Sequence, residues 1–472
     1  MHLTITASLA LICAVGATAA PSDTIDQYVL EEMQRERIPG LALGVYRHGD
    51  IVKAQGYGLA NVELNAPVKP ETLFQSGSVG KQFAATAVMM LVEQGKAGLE
   101  DSITRYFADA PESWRSIRVK NLLSHTSGLA EYESDPLTAA GAPFYLRLDF
   151  TEDELRRKIY ALPIEFDPGA RWAYRNTNYV VLGMLIRKVT GQFYGDFLAD
   201  RIFKPLGMTA TRIISEADII PNRSSGYRLV KGELKNQEWV SPTFNSTADG
   251  ALYFNVPDLA KWDAALYTER LLKKSSFDAM WTVFRLNDGK PNKGDYGFAW
   301  GIREVRGHRL MEHSGSWQGF TTHFARYVDD GLSVAVLTNL DSGHARPSRI
   351  AHAVAGLYDP ALAPPDVKPI EDREPQVTAF FQQVIEEMAQ GKAEPENFTG
   401  EAKAEIFPAG VKELMAFFKD AGLPNALQLV ERKQEGEDTV YRYRAKLNDS
   451  EVVLRFELTK QRKIAEFGIL DE

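Results

Sequence analysis

Cysteine is almost missing from this chain: one residue in 472, Cys13. It sits inside an apolar run from Leu3 to Val15, and Ala17-Thr18-Ala19 follows as an A-x-A cleavage pattern. Residues 1–20 therefore read as a secretory signal peptide, directing the protein to the periplasm or the exterior. Cleavage after Ala19 or Ala20 leaves no thiol, which excludes disulfides, a cysteine nucleophile and cysteine-based zinc sites. Long hydrophobic runs are also lacking. The N-terminal one is too short for a membrane span, so no integral membrane association is expected. An excess of positive charge is missing too: 54 Lys+Arg face 63 Asp+Glu, a net of −9, which gives a nucleic-acid partner no electrostatic support. The eight histidines include no H-E-x-x-H or similar spacing, so neither a metal nor a cofactor is expected. Repeats and low-complexity tracts are not found either. What is present is an ordinary globular composition, 44% hydrophobic and 25% charged, suited to a small-molecule or peptide substrate.

The patterning runs sheet, helices, sheet. Leu41 to Tyr46 and Ile51 to Tyr57 are β-prone and flank the turn Arg47-His48-Gly49-Asp50, predicting a hairpin. A helix follows from Gln82 to Gln94. Another is predicted over Tyr179 to Val189, capped by Thr177/Asn178 and closed at Gly191, and a third from Asp258 through Trp262 to Tyr267. Strands return at Phe298 to Val305, Arg309 to Glu312, Gly319 to Tyr327 and Leu332 to Thr338. Pairing of the early hairpin with these late strands makes an α+β fold: an antiparallel sheet flanked by helices, with an inserted helical subdomain. The expected sheet subdomain is about 21–80 and 290–357, and the helical one about 81–289. A proline-rich linker at 358–372 leads to a small α+β accessory domain at 373–472. That last part has helices at Val377 to Ala389 and Val411 to Asp420. Its strands are Ala426 to Arg432, Thr439 to Lys446, Glu451 to Leu458 and Ile464 to Leu470. Residues 371–472 hold 14 Lys+Arg against 21 Asp+Glu, so most of the acidity belongs to this module.

Three local signals carry chemistry. Ser78 and Lys81 are three apart at a helix start, where free N–H groups and the helix dipole favour developing negative charge and a desolvated amine can take the serine proton. A phosphate-binding loop is ruled out because Gln75 and Gln82 stand where Gly and Ser/Thr are needed, and a nucleophile elbow because Ser76 replaces its first glycine. Tyr174 and Asn176 flank Arg175 in an extended stretch, so both can face a cleft while Arg175 turns away. The phenol could move a proton if nearby cations lowered its pKa, and the amide could orient a lysine. His313-Ser314-Gly315-Ser316 ends a strand-like run, where small residues let a substrate backbone approach and leave N–H groups for an oxyanion. Taken singly, each signal is common.

Together and in this order, they resemble the serine β-lactamase and penicillin-binding protein superfamily. Within it the chain is similar to the class C β-lactamase-like hydrolases, which include D-alanyl-D-alanine carboxypeptidases, D-aminopeptidases and esterases. The resemblance covers about residues 25 to 356. It also rests on Phe74-Gln75-Ser76-Gly77-Ser78, on Leu122-Leu123-Ser124-His125-Thr126-Ser127-Gly128-Leu129 and on Phe203-Lys204-Pro205-Leu206-Gly207-Met208. It implies Ser78 as the acylated nucleophile, Lys81 as base or relay, Tyr174 as proton shuttle and Asn176 as the rest of the middle motif. His313, Ser314 and Gly315 stand for the third motif, often Lys-Thr-Gly, and the backbone N–H groups of Ser78 and Ser316 for the oxyanion hole. His125 is expected to be structural. A His in place of that Lys offers a substrate carboxylate less positive charge, so β-lactam hydrolysis is not the leading expectation. A non-hydrolytic acylated sensor and a true class C β-lactamase remain as alternatives to a hydrolase of peptides, amides or esters. The loops Asp135 to Asp149 and Ile219 to Glu238 are expected to line the cleft.

Overall fold

The computed structural model describes residues 24–133, 138, 140–341, 345–363, 368–447 and 451–470; the signal-peptide segment and Cys13 lie outside them. Helix α1 (Thr24–Glu36) leads into the expected hairpin, β1 (Gly40–Arg47) and β2 (Asp50–Asn61), followed by the short β3 (Ala66–Pro67). Helix α2 (Lys81–Glu93) is buried over its first eleven residues, as its Ala, Val, Met and Leu content dictates. Helices α3 (Asn176–Thr190) and α4 (Val256–Leu266) belong to the inserted part. The late strands are β4 (Gly301–Val305), β5 (His308–Trp317), β6 (Phe320–Tyr327) and β7 (Leu332–Thr338), and α5 (Pro347–Tyr358) closes this region.

These strands form one seven-stranded sheet in the order β3-β2-β1-β7-β6-β5-β4. Its central join is antiparallel pairing of β1 with β7, Leu41 opposite Thr338, so the hairpin and the late strands do share a sheet. Strands β6 and β7 are buried throughout because both faces are covered. Residues of α1 and α5, such as Val29 and Val354, pack on one face. Residues of α2 and α4, such as Phe83 and Trp262, belong to the larger core on the other. Across that second face, the buried Arg326 of β6 pairs with Asp263 of α4 at 2.7 Å, and Ser333 also donates to the same carboxylate oxygen.

Several boundaries differ from the sequence expectation. Strand β5 does not end before His313; pairing with β6 carries it to Trp317, with His313 opposite Phe324 and Trp317 opposite Phe320. Phe298 to Trp300 lie outside β4. Thr177 and Asn178 are not caps but first-turn residues of α3, which begins at Asn176 after an extended Arg175; Gly191 does end it, at φ +76°. Helix α4 starts at Val256, because the Asn255 side chain caps it by accepting from the Asp258 N–H. The inserted part also holds a small sheet in which Leu252–Phe254 pairs with Phe74–Gln75 and with Arg212–Ile213. This pairing brings the segment at Gly250 to the nucleophile region.

Beyond Pro369, α6 (Pro375–Ala389) and α7 (Val411–Ala421) precede a meander of β8 (Leu427–Glu435), β9 (Asp438–Lys446), β10 (Glu451–Leu458) and β11 (Ile464–Leu470). Phe381, Tyr443 and Phe456 centre a separate hydrophobic core there. No helix among the described residues is long and apolar enough to cross a membrane.

Candidate active site

Ser78 lies in a single 3-10 turn, Gly77–Gly80, that runs directly into α2. The turn is fixed by three close backbones. Gly77 adopts φ +49°, and a Cβ there would sit 2.4 Å from the Ser316 nitrogen; one on Gly250 would meet the Gly77 carbonyl carbon at 2.6 Å, and one on Gly315 the Ser76 oxygen at 2.2 Å. Only hydrogen fits at all three places. Thr322 and Ser76 tie the same junction together, through Thr322 Oγ1 donating to the Ser76 carbonyl and Ser76 Oγ to that of Gly250. The backbone nitrogens of Ser78 and Ser316 both border it.

Lys81 is fully buried, and its Nζ donates to Ser78 Oγ at 2.8 Å, Asn176 Oδ1 at 2.7 Å and the Asp249 carbonyl at 2.5 Å. Its three N–H bonds are thereby satisfied, which is what a buried ammonium requires. The Tyr174 ring lies 5.0 Å from the same Nζ. Its enclosed hydroxyl makes no hydrogen bond, although Ser78 and Lys81 are both near it. Burial raises the phenol above its usual value and the Lys81 charge offsets part of this, so the net shift is upward and the resting group is protonated. Arg175 turns away to Glu165, as alternation predicts.

Asn176 donates from its amide to Glu133 Oε2, and Glu131 Oε2 accepts from its backbone N–H, both at 2.5 Å. Tyr132 donates to Asp249 at 2.8 Å. Burial, then the neighbouring Asp249 and Glu131 charges, holds the Glu133 carboxyl well above the usual carboxylate range. His313 is buried on the Ser78 side of β5, accepting from Tyr296 OH at 2.8 Å and donating from Nδ1 to the Ser314 carbonyl. Burial, with the Lys81 charge, pushes it down to about 3, so it is neutral at pH 7 and supplies no cation at all.

The cleft is narrow and is lined by Ser78, Glu133, Asn176, Asp249, Ser316 and Trp317 among others. Ser314 is a correction: its hydroxyl turns to the opposite face of β5 and meets His323, away from Ser78. Another concerns the segment from Ile219 to Glu238. It folds into a hairpin of Tyr227–Val230 with Glu233–Asn236, and Phe244, Gly250 and Trp317 line the cleft instead. Residues 135–137 and 139 of the other expected loop lie outside the described residues. His125 stacks on Tyr174 with ring centres 4.2 Å apart, and its Nδ1 accepts from the Arg175 N–H, so it positions the middle motif. Sequence reasoning missed Glu131, Glu133, Asp249, Gly250 and Tyr296, because none of them belongs to a local motif.

The family model named Beta-lactamase matches residues 25–358. This chain belongs to the β-lactamase family. Penicillin-binding protein 4* of Bacillus subtilis is 28% identical to it over 344 residues, 68% of this chain and 73% of that protein. The D-aminopeptidase of Brucella canis is 27% identical over 352 residues, 74% of this chain but 64% of that protein, so the match leaves over a third of the relative uncovered. Among solved structures, a D-stereospecific amidohydrolase from Streptomyces sp. superposes with a TM-score of 0.59 at 27% identity, covering 71% of this chain and 98% of its own. As a β-lactamase family member with penicillin-binding protein, aminopeptidase and amidohydrolase relatives, the chain is a hydrolytic enzyme of the serine type.

Proposed function

We propose that this enzyme cleaves an amide, peptide or ester bond through an acyl-enzyme on Ser78, and that it favours substrates carrying a free amino group near the scissile carbonyl. The observation that carries the proposal is a buried Lys81 Nζ 2.8 Å from Ser78 Oγ in a cleft whose other ionisable walls are Glu133 and Asp249. As the free amine, Lys81 keeps N–H bonds to Asn176 and the Asp249 carbonyl and turns its lone pair on the Ser78 O–H. Ser78 Oγ then bonds to the substrate carbonyl carbon, its proton passes to Nζ, and the carbonyl electron pair moves to oxygen beside the Ser78 and Ser316 N–H groups. Collapse of this adduct breaks the bond to the leaving amine or alkoxide, which takes a proton from Tyr174; that phenol regains one from Lys81. Water then repeats the sequence on the ester, releasing the acid and restoring Ser78.

Selection for an amine follows from electrostatics. Burial first, and then the nearby Asp249 charge, raise the Glu131 and Glu133 carboxyls above the usual range, so an arriving ammonium offsets a cost that protonation otherwise relieves. A neutral His313 offers a substrate carboxylate no fixed charge. D-amino acid amides and peptides with a free N-terminus fit this wall, in line with the D-aminopeptidase and D-stereospecific amidohydrolase relatives. Comparing D-alanine p-nitroanilide with its N-acetyl form tests the preference: acetylation should lower kcat/KM at least about tenfold, since a charge-assisted hydrogen bond is worth ~1.5 to 3 kcal/mol. Equal rates would remove the amine preference, and a Ser78→Ala variant with wild-type hydrolysis would remove the acyl-enzyme. Export through residues 1–20 and an accessory role for residues 373–472, joined by the linker at 358–372, complete the proposal. N-terminal sequencing of the exported protein and deletion from about residue 366 test these parts.

A further inference from the structure

On the face of β5 and β6 turned away from Ser78, three side chains from three separate elements converge on one point. Glu312 of β5 and His323 of β6 lie on adjacent strands, and His352 comes from α5. Glu312 Oε2 is 2.7 Å from His352 Nε2 and 3.1 Å from His323 Nε2, and the three ligand-type atoms all fall within 4.8 Å of one another. The two imidazole rings stand at 90° with centres 5.3 Å apart, so they meet edge to face rather than stacking. We propose that Glu312, His323 and His352 form a binding site for a divalent transition-metal ion of the zinc class.

Two of the three ligands have their second atom held by another group, which leaves the first for the shared point. Ser314 Oγ lies 2.8 Å from His323 Nδ1, and Arg303 pairs with Glu312 Oε1 at 3.2 Å. Outer contacts of this kind orient metal ligands and fix the imidazole tautomer. Bonds of ~2.1 Å in a tetrahedral site put ligand atoms ~3.4 Å apart, so an ion opens the present contacts by less than about 1 Å. Two imidazoles and one carboxylate match zinc, whereas magnesium and calcium take oxygen ligands. Glu312 and His323 are buried while the His352 side chain is 16% exposed, giving the ion an entry path and leaving a fourth position for water. The ligands are 11 and 29 residues apart, so no local spacing announces them. An ion here braces β5 from behind, at the strand that carries His313 and Ser316 to the cleft.

The test uses the full chain without a polyhistidine tag, stripped with chelator and titrated with zinc chloride by calorimetry, with metal content counted after dialysis. Binding of one zinc per chain, a rise of roughly 5 °C in thermal midpoint at saturating zinc and tetrahedral visible bands with cobalt are expected. His352→Ala, at the half-buried ligand, should fold and lose at least about tenfold in affinity, with Glu312→Gln as the second variant. No stoichiometric zinc on the wild-type chain, or unchanged zinc affinity in His352→Ala, overturns the site. Ser78→Ala should bind zinc as wild type does, so loss of hydrolysis and loss of the metal site are read separately.

Discussion

Replacing Gly315 by alanine probes whether the contact between strand and nucleophile turn sets the rate. A Cβ there would lie 2.2 Å from the Ser76 oxygen, 2.5 Å from Thr322 Oγ1 and 3.0 Å from the Ser78 nitrogen. Relief to a tolerable 3.0 Å requires strand and turn to part by about 0.8 Å, and Ser76 cannot retreat freely because Thr322 and Gly250 hold it. Misplacement of this size costs ~10²-fold, and loss of one oxyanion donor ~10² to 10³-fold. We therefore expect kcat/KM to fall about 10²-fold, equivalent to ~2.7 kcal/mol of transition-state stabilisation. Overpacking should also cost ~1 to 3 kcal/mol of stability, so the variant stays folded for assay. Steady-state hydrolysis of an activated ester, with thermal unfolding in parallel, separates the two effects. Gly400→Ala is the control, since nothing lies within 4 Å of its added carbon. A folded Gly315→Ala enzyme within threefold of wild-type kcat/KM would refute the close-contact account of the site.

Lys81→Met should reduce kcat/KM by at least about 10³-fold by removing both base and organiser of Ser78, and pre-steady-state acylation should slow in proportion. For His313 the sign runs toward acid: a folded value of about 3 against an ordinary 6.5 means its share of stability is full above pH 6.5 and lost as pH falls toward 3. Thermal unfolding between pH 7 and pH 4 should thus decline less steeply in His313→Gln. Glu36 has the opposite sign, because burial lifts its carboxyl to about 7. Its share fades as pH rises from 4.5 through 7, and Glu36→Gln should gain on wild type by up to ~3 kcal/mol at pH 8 in urea unfolding. Arg326→Met leaves Asp263 as an unpaired buried charge and should cost ~3 to 5 kcal/mol by the same urea assay.

The three motifs were legible because each is local: the helix start after Ser78, the alternation of Tyr174 with Asn176, and the small residues after His313. The sheet was legible because β1 and β2 flank a turn sequence and the late strands carry β-branched and aromatic runs. What could not be read is set by pairing between distant segments. Strand β5 runs through His313 to Trp317 because β6 offers a partner, and Gly250 reaches the site because Leu252–Phe254 pairs with Phe74–Gln75. Tyr296, Glu133 and Asp249 are ordinary residues until folding surrounds them. The neutrality of His313 has the same origin, since burial, with the Lys81 charge, and not the sequence around it holds its ring uncharged.

The junction of β1 with β7 has a kinetic meaning. Leu41 meets Thr338 only after roughly 300 intervening residues have been made, which is contact order of the slow kind. Strands β5 and β6 join β1 only through β7, so a chain cut short of Leu332 holds Ser78, Lys81 and the Gly315 and Ser316 that shape their turn, yet lacks the strand that docks β5 and β6 beside β1. Synthesis itself therefore acts as a safety catch: the nucleophile is made early, and it is armed by nearly the last strand of the domain.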